Sequence, residues 1–286
     1  MNERAQSFLC LHLAVFIFGF SALFAKYIEQ PALIITLGRS VFAVVFIFAV
    51  VSSSSRKIRL DSKADFFRAL AAGLFFCGHV AGLFTAVQIS TVAIGVITFA
   101  TLPVFIALLE PVLLKEKLAA RTVWCAVITF LGLILTVPWG ELEQAPGVQA
   151  GLLIGLVATL SYALVTIFNR RLTQKNDPVA VIFCEHAVLA VMAVPVFSLM
   201  QPVFSTKDLL GLAVAALTIA TVAHILFIEG LKRIRASTTG LIAGLEPVYA
   251  IILASLLLGE IPKLNEMAGG LVVVSVAAYM TLQKGK

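Results

Sequence analysis

Long apolar stretches separated by short polar segments run along almost the whole chain. Between Arg68 and Glu110, 41 consecutive residues include no Asp, Glu, Lys or Arg. One bilayer-spanning helix needs about 20 apolar residues. This stretch therefore predicts two membrane-spanning helices joined by a tight turn near Gln88 to Thr91.

The same length rule predicts ten membrane-spanning helices and no soluble domain. Ten helices of about 20 residues use roughly 200 positions, which leaves only short loops. The first helix is not expected to be a cleavable signal segment, because no small-residue cleavage site follows it. The predicted spans are 8–26, 32–51, 66–87, 92–114, 121–137, 148–168, 179–199, 208–229, 236–258 and 264–282.

The chain also repeats itself at an offset of 144 residues. The segment Leu102-Pro103-Val104-Phe105 corresponds to Glu246-Pro247-Val248-Tyr249. At the same offset, Glu116 corresponds to Glu260. One offset shared by several predicted helices indicates an internal duplication.

The duplication predicts the arrangement of the whole molecule. We expect an all-α integral membrane protein built from two five-helix repeats, residues 1–140 and 147–286. Because each half holds an odd number of helices, the second repeat must be inverted relative to the first. Inverted repeats let one chain open to either side of the membrane, with the substrate site near the midplane where the halves meet. This arrangement predicts transport by alternating access.

Composition and charge agree with a membrane protein and predict its orientation. Hydrophobic residues make up 60% and charged residues 13%, against about 25% charged in soluble domains. With a cytoplasmic N-terminus, 17 of the 21 Lys and Arg residues fall on the cytoplasmic side and only Lys26, Lys207 and Lys263 fall outside. Basic loops are retained inside, so we expect both termini to be cytoplasmic. The net charge of +6 indicates attachment to the inner leaflet and gives no support to nucleic acid binding.

These features resemble the EamA-type ten-helix members of the drug/metabolite transporter superfamily. The family has an aromatic-Gly motif in its first helix, commonly Trp-Gly and here Phe18-Gly19, and the second helix often carries an Arg, here Arg39. Each repeat also has a proline in its fourth helix with a Glu after it. These residues are Pro103 with Glu116, and Pro247 with Glu260. The resemblance implies a cytoplasmic-membrane carrier, often an exporter, for amino acids, other small metabolites or drugs.

Ionisable side chains inside the predicted spans are the candidates for substrate binding or proton coupling. A charge at the centre of a bilayer costs at least about 2.5 to 3.5 kcal/mol, so it lines a cavity or meets a partner. Glu246 lies about ten residues into its helix, directly before Pro247. Proline lacks an amide hydrogen and kinks a helix, so we expect kinks at Pro247 and Pro103. The alternative for Glu246 is a protonated side chain that joins two helices.

Further candidates occur in both repeats. Arg39 and Glu185, which His186 follows, occupy approximately corresponding positions and are expected at opposite mouths of the pathway. The alternative is that Arg39 extends to the surface and that Glu185 faces loop cations. His79 and His224 lie 145 residues apart. Their imidazoles can exchange protons near neutral pH, or they can form neutral hydrogen bonds between helices.

Aromatic residues and cysteines complete the inventory. Tyr162 corresponds to Phe18 in the repeat and is a candidate lining residue, with packing or lipid contact as the alternative. The four cysteines show no metal-ligand spacing, and HExxH, Walker A and GxSxG motifs are absent from the sequence. We therefore expect no cofactor and no metal site.

The sequence predicts a secondary active transporter of small metabolites, and specifically an exporter of amino acids or related compounds. Its expected partners are a small-molecule substrate, membrane lipid and, as a candidate coupling ion, the proton. A monomer and a homodimer both remain open. The alternative is a membrane enzyme or flippase that acts on a lipid-like substrate. A paired acid/base cluster at one membrane interface would favour that alternative, and the sequence shows no such pair.

Overall fold

The computed structural model describes residues 3–21, 24, 27–54, 57–137, 139, 147–258 and 263–282, and every regular element in these ranges is helical. Lys26 and Glu260, which the sequence analysis used, lie outside the described residues. The helices are α1 (Glu3–Phe18), α2 (Ala32–Ser52), α3 (Lys63–Ile89), α4 (Val92–Phe99), α5 (Leu102–Leu113), α6 (Ala120–Leu135), α7 (Val148–Leu172), α8 (Pro178–Met200), α9 (Thr206–Ala215), a π-helical segment (Ala216–Ala223), α10 (His224–Leu231), α11 (Ala236–Ala243), α12 (Glu246–Leu258) and α13 (Leu264–Leu282).

Most of the apolar stretches form helices long enough to cross a membrane. Among the described residues, seven helical stretches meet the length and hydropathy requirements for a span. They are Ala32–Ser52, Lys63–Ile89, Val148–Leu172, Pro178–Met200, Thr206–Leu231, Ala236–Leu257 and Leu264–Leu282. Helices α5 and α6 are apolar but shorter, with 12 and 16 residues. The prediction of an all-helical, multi-pass membrane protein is confirmed, whereas the count of ten spans stays a prediction.

Two predicted spans are interrupted, and the interruptions correspond. The span predicted for 92–114 forms α4 and α5, and the span predicted for 236–258 forms α11 and α12. Two residues separate the helices in each pair. Helices α11 and α12 begin 144 residues after α4 and α5, the offset found in the sequence. Both members of the duplicated segment therefore adopt the same local structure.

The two duplicated prolines lie at helix starts. Pro103 is the second residue of α5, and Pro247 is the second residue of α12. Proline has no amide hydrogen to donate, and the first turn of a helix does not need that donor. A kink was expected at each of these two prolines. The structure instead shows a break of two residues before each proline-bearing helix.

The helix contacts can be paired at the same offset. Helix α3 packs along α7, and α1 packs along α10. Helix α5 contacts α7, and α12 contacts α1; α8 contacts α3, and the π-helical segment contacts α2. In each of these cases, exchanging first-half elements for second-half elements converts one contact into the other. Helix α2 contacts α8, and α6 contacts α13. In each of these two pairs, the helices are each other's counterparts in the repeat.

Polar caps mark where several helices begin. The side chains of Ser62, Asp177 and Ser205 accept hydrogen bonds from backbone N–H groups in the first turns of α3, α8 and α9. Each cap satisfies a donor that has no partner within its helix. Outside the core, large apolar side chains such as Leu199 and Leu256 are exposed, at 85% and 75%. This surface suits contact with lipid.

Candidate functional site

A small cavity lies among helices from both halves of the chain. Its volume is about 70 Å³. Five of the six substrate or coupling candidates from the sequence line it: Arg39, His79, Tyr162, His224 and Glu246. The remaining lining residues include Phe18, Ser21, Phe76, Phe84 and Ile219. The cavity therefore combines both signs of charge with an aromatic wall.

A guanidinium and a carboxylate share this cavity. Arg39 extends from α2 and is only 6% exposed, and its Nε has no hydrogen-bond partner. Glu246, the first residue of α12, lines the same space. A buried charge without a full set of hydrogen bonds is costly. A ligand anion that reached Arg39 would supply the missing acceptor.

His79 and Tyr162 form one wall of the cavity. Their rings stack with centroids 4.3 Å apart and an interplanar angle of 16°. The Nδ1 atom of His79 lies 3.1 Å from the carbonyl oxygen of Ala158. Because a carbonyl can only accept, Nδ1 carries the proton in this bond and the neutral ring keeps Nε2 as an acceptor. Phe227 also stacks against Tyr162, with centroids 6.3 Å apart.

The sixth candidate, Glu185, belongs to a buried group of three side chains. Its Oε2 lies 3.4 Å from Nε2 of His224, and Nδ1 of His224 lies 3.4 Å from Nε2 of His186. Nε2 of His186 is also 2.9 Å from the Ala220 carbonyl oxygen, and its Nδ1 is 3.1 Å from Oγ of Ser40. Glu185 is fully buried, and neither of its carboxylate oxygens has a hydrogen-bond partner. We call Glu185, His186 and His224 the acid–histidine cluster.

The positions of Arg39 and Glu185 differ from the prediction in one respect. Arg39 and Glu185 were expected at opposite mouths of the pathway. The structure instead puts Arg39 in the cavity wall and Glu185 against His224, which lines the same cavity. Helices α2 and α8 contact each other directly, and that contact brings the two regions together.

Ser40 and the π-helical segment were not identified from the sequence. Ser40 directly follows Arg39, but its partner His186 is 146 residues away, so only the tertiary structure reveals the contact. The π-helical segment leads into His224 and supplies the Ala220 carbonyl. Such segments are frequent at functional sites. Within the described part of the chain, no group of three or more His, Cys, Asp or Glu side chains could hold a metal ion.

A second charged group ties several helix ends together. Nε of Arg235 lies 3.1 Å from Oε2 of Glu116 and 3.6 Å from Oε1 of the fully buried Glu110. Arg170, near the end of α7, lies 3.9 Å from Oε1 of Glu116. It also donates to two backbone carbonyls at the end of α10. These four side chains, which we call the ion cluster, link the ends of α5, α7 and α10 with the start of α11.

Comparisons with known proteins identify the family. The model of the EamA-like transporter family matches residues 6–137 and 149–282. The uncharacterized transporter YxxF of Bacillus subtilis (strain 168) is 23% identical over 284 residues, covering 98% of this chain and 90% of that protein. The S-adenosylmethionine uptake transporter of Rickettsia bellii (strain RML369-C) is 21% identical over 232 residues, covering 80% and 77% of the two chains.

The fold comparison agrees with the sequence comparison. One solved crystal structure superimposes with a TM-score of 0.80 at 19% sequence identity, covering 96% of each chain. At that identity the likeness establishes the fold alone. The family and the named relatives are transporters rather than enzymes. The chain therefore belongs to the EamA-like transporter family and is a multi-pass membrane transporter of a small-molecule substrate.

Proposed function

We propose that this protein is a secondary active transporter of amino acids or closely related zwitterionic compounds, working as an exporter in the cytoplasmic membrane with both termini in the cytoplasm. The observation that carries this proposal is the cavity that Arg39 and Glu246 share. A zwitterionic amino compound presents a carboxylate and an ammonium group. Arg39 would pair with the carboxylate, and Glu246 would pair with the ammonium group.

The surroundings of the two charges support a substrate with an apolar side chain. Phe18, Phe76 and Tyr162 line the same cavity. Aromatic faces favour apolar groups and can also attract a cation. S-adenosylmethionine, named as the substrate of relatives that are 21% to 22% identical, also carries an α-amino and a carboxylate group. The proposed recognition would accommodate that chemical class as well.

The proposed mechanism is alternating access between two inverted five-helix repeats, residues 1–140 and 147–286. Two observations support it. The paired breaks before Pro103 and Pro247 recur at an offset of 144 residues, and the contacts of each half have counterparts in the other. Drug-sized ligand pockets are roughly 300 to 1,000 Å³. We therefore assign the cavity of about 70 Å³ to a contracted state that must widen before it admits substrate.

The ion cluster gives this contracted state a closed end. Glu116, Arg170 and Arg235 connect the ends of helices that must separate if the cavity is to open there. The basic residues on this side support a cytoplasmic location for it by the positive-inside rule. The exporter would take up substrate at this end after the ion cluster separates.

Thermal unfolding of the purified protein in detergent tests the proposed substrate class. The probes are phenylalanine, 3-phenylpropionate, which lacks the amine, and phenethylamine, which lacks the carboxylate. A ligand that binds only the folded protein raises the melting temperature. We expect a rise with phenylalanine that exceeds the rise with either single-charge analogue.

A variant and a control make the result specific to the cavity. Arg39→Gln should lose the rise, whereas His12→Asn should keep it, since His12 bonds to Thr281 away from the cavity lining. Equal stabilisation by phenethylamine and phenylalanine would contradict recognition of a zwitterion. No stabilisation by phenylalanine, leucine, glutamine or S-adenosylmethionine would contradict the proposed substrate class.

A further inference from the structure

We propose that the acid–histidine cluster is a proton-binding site that couples a proton gradient to transport, separate from the pair of charges that holds the substrate. The proposal rests on the proposed function as a secondary transporter. It assigns the coupling ion to Glu185, His186 and His224 rather than to Glu246. The direction of each hydrogen bond determines where the protons of this cluster lie.

Each ring nitrogen of His186 has a hydrogen-bond partner. Its Nε2 faces the Ala220 carbonyl, which can only accept, so this nitrogen carries a proton. Its Nδ1 faces Oγ of Ser40 at 3.1 Å, and the same hydroxyl lies 2.9 Å from the Thr36 carbonyl. If the hydroxyl donates to Thr36, Nδ1 must also donate and the ring is an imidazolium. If the hydroxyl donates to Nδ1, the ring is neutral. Rotation of one hydroxyl therefore accommodates one proton on His186.

His224 connects this ring to Glu185. When Nε2 of His186 shares its proton with Nδ1 of His224, Nε2 of His224 carries the proton of that ring and faces Oε2 of Glu185 at 3.4 Å, without a hydrogen bond between them. When Glu185 takes up a proton instead, His224 keeps its own proton on Nε2 and the carboxyl group is neutral. The three side chains thus form a line that holds one additional proton, on His186 or on Glu185. The Glu185 carboxylate can balance the charge of the imidazolium.

The line meets the cavity at His224. His224 lines the cavity, while Glu185 and His186 lie behind it with no exposed surface. A proton taken from cavity water at one side would bind to the line, and it would return to water after the transporter opens to the other side. No electrons move, and no bond other than O–H or N–H changes. The titratable or charged groups around the line are Arg39 on α2, His79 on α3, Tyr162 on α7, Cys184 on α8 and Glu246 on α12.

The unsatisfied carboxylate oxygens of Glu185 support this site over simple packing. A buried side chain that only joined helices would be expected to have its polar atoms paired. Neither oxygen of Glu185 has a hydrogen-bond partner of good geometry, although the side chain of Asn169 interacts with this carboxyl group. Protonation would remove that buried charge and give the carboxyl group a donor. The bound proton would therefore neutralise a buried carboxylate that has no paired donor.

Proton binding can be measured without any substrate. The chain has four histidines, which makes isotope labelling of all histidine rings practical. We would record NMR spectra of the labelled full-length protein in lipid nanodiscs as a function of pH, and infrared difference spectra of the same sample. We expect the signals of His186 and His224 to change together, and a protonated carboxyl band to appear at acidic pH.

Variants assign these signals. Glu185→Gln should remove the carboxyl band and alter the titration of both cluster histidines. Glu246→Gln should leave the titration of His186 and His224 in place, and His12 serves as the internal reference. If Glu185→Gln does not fold, His224→Gln should uncouple His186 from the carboxyl band in the same spectra. Unchanged histidine titration in Glu185→Gln, or in the second variant, would overturn the proposal.

The outcomes separate this proposal from the proposed function. If phenylalanine stabilises the protein but the cluster binds no proton, the substrate site stands and the coupling site is wrong. If the cluster binds a proton but none of the amino compounds stabilises the protein, the substrate class is wrong. In proteoliposomes, Glu185→Gln should retain counterflow of phenylalanine and lose its acceleration by a pH gradient. Acceleration that persists in this variant would contradict coupling through the cluster.

Discussion

Single buried polar residues are the functional groups that we propose for this chain. Charged residues are costly inside a membrane, so their positions in apolar stretches singled out Arg39, Glu185 and Glu246 in the sequence. In the structure, Arg39 and Glu246 line one cavity. Glu185 lies next to His224, which lines the same cavity. Their individual contacts, such as that of Glu185 with His224, could not be predicted, because they depend on tertiary packing such as that of α2 against α8, which are far apart in sequence.

Replacement of Arg39 tests the residue proposed to bind the substrate carboxylate. We expect Arg39→Gln to weaken binding of phenylalanine about 10- to 100-fold, since a hydrogen bond to a charged group contributes about 1.5 to 3 kcal/mol. Ligand-concentration series of the melting temperature measure this change. Lys207→Gln, which removes an exposed cation paired with Glu29, is the matched control and should leave binding unchanged. Equal affinity of wild type and Arg39→Gln would contradict the assigned role.

At the scale of helices, hydropathy predicted which stretches are helical better than it predicted where they break. The apolar stretches 92–114 and 236–258 read as continuous spans, yet each forms two helices. Their prolines signalled an irregularity. Sequence alone does not distinguish a kink from a break, because both accommodate the missing donor of proline. The π-helical segment before His224 likewise has no distinct signature in its run of small apolar residues.

The close contact between α6 and α13 yields a prediction about helix packing. A Cβ atom on Gly269 would overlap the backbone carbonyl oxygen of Gly132, whereas one on Gly270 would have its nearest neighbour, Cγ1 of Val248, at 3.5 Å. We expect Gly269→Ala to lower the free energy of unfolding by about 1 to 3 kcal/mol through overpacking. Gly270→Ala should leave it unchanged or raise it by up to about 1 kcal/mol, because alanine favours a helix more than glycine does.

Thermal unfolding of the two glycine variants in the same detergent measures the difference. For chains of 150 to 250 residues, each kcal/mol corresponds to a shift of roughly 2 to 4 °C in melting temperature. Gly269→Ala should therefore melt several degrees below Gly270→Ala. Identical melting temperatures would show that α6 and α13 are not held at the distance described.

At the scale of the whole molecule, the offset of 144 residues predicted a duplication that the helix breaks and contact pairs also follow. The family match was anticipated by residues such as Phe18-Gly19 and Pro103. The contracted state that we propose for the transporter was not anticipated from the sequence. The proposed closure by the ion cluster depends on Arg170 and Arg235 meeting Glu116, and these contacts span 54 and 119 positions of the chain. No local pattern predicts pairs at such separations.

The ion cluster predicts a side-specific change in access to the cavity. Glu116→Gln removes the carboxylate that Arg170 and Arg235 share, so the end of the bundle that carries the cluster should open more often. A cysteine at Ser21, a cavity-lining residue, reports access after the four native cysteines are replaced by serine. Partly exposed ion pairs contribute about 0.2 to 1 kcal/mol, so labelling from the cluster side should rise about 1.4- to fivefold.

A control variant, and label added from each side of the membrane in turn, allow that experiment to be interpreted. Lys207→Gln breaks an exposed ion pair outside the cluster and should not change labelling from the cluster side. Labelling should be compared with a membrane-impermeant maleimide added to right-side-out and inverted vesicles. An increase of equal size from both sides would indicate general loosening of the fold. No increase with Glu116→Gln would contradict the role of the ion cluster as a gate.

The most direct test of the proposed function is counterflow in proteoliposomes. Vesicles containing the purified protein would be loaded with unlabelled phenylalanine and diluted into a trace of labelled phenylalanine, with leucine, glutamine and S-adenosylmethionine tested in the same way. A carrier that alternates access accumulates the label transiently against its gradient, without any other energy source. We predict such accumulation for at least one of these zwitterions in the wild type and its loss in Arg39→Gln. Absence of accumulation for all of them, with the reconstituted protein folded, would contradict the account.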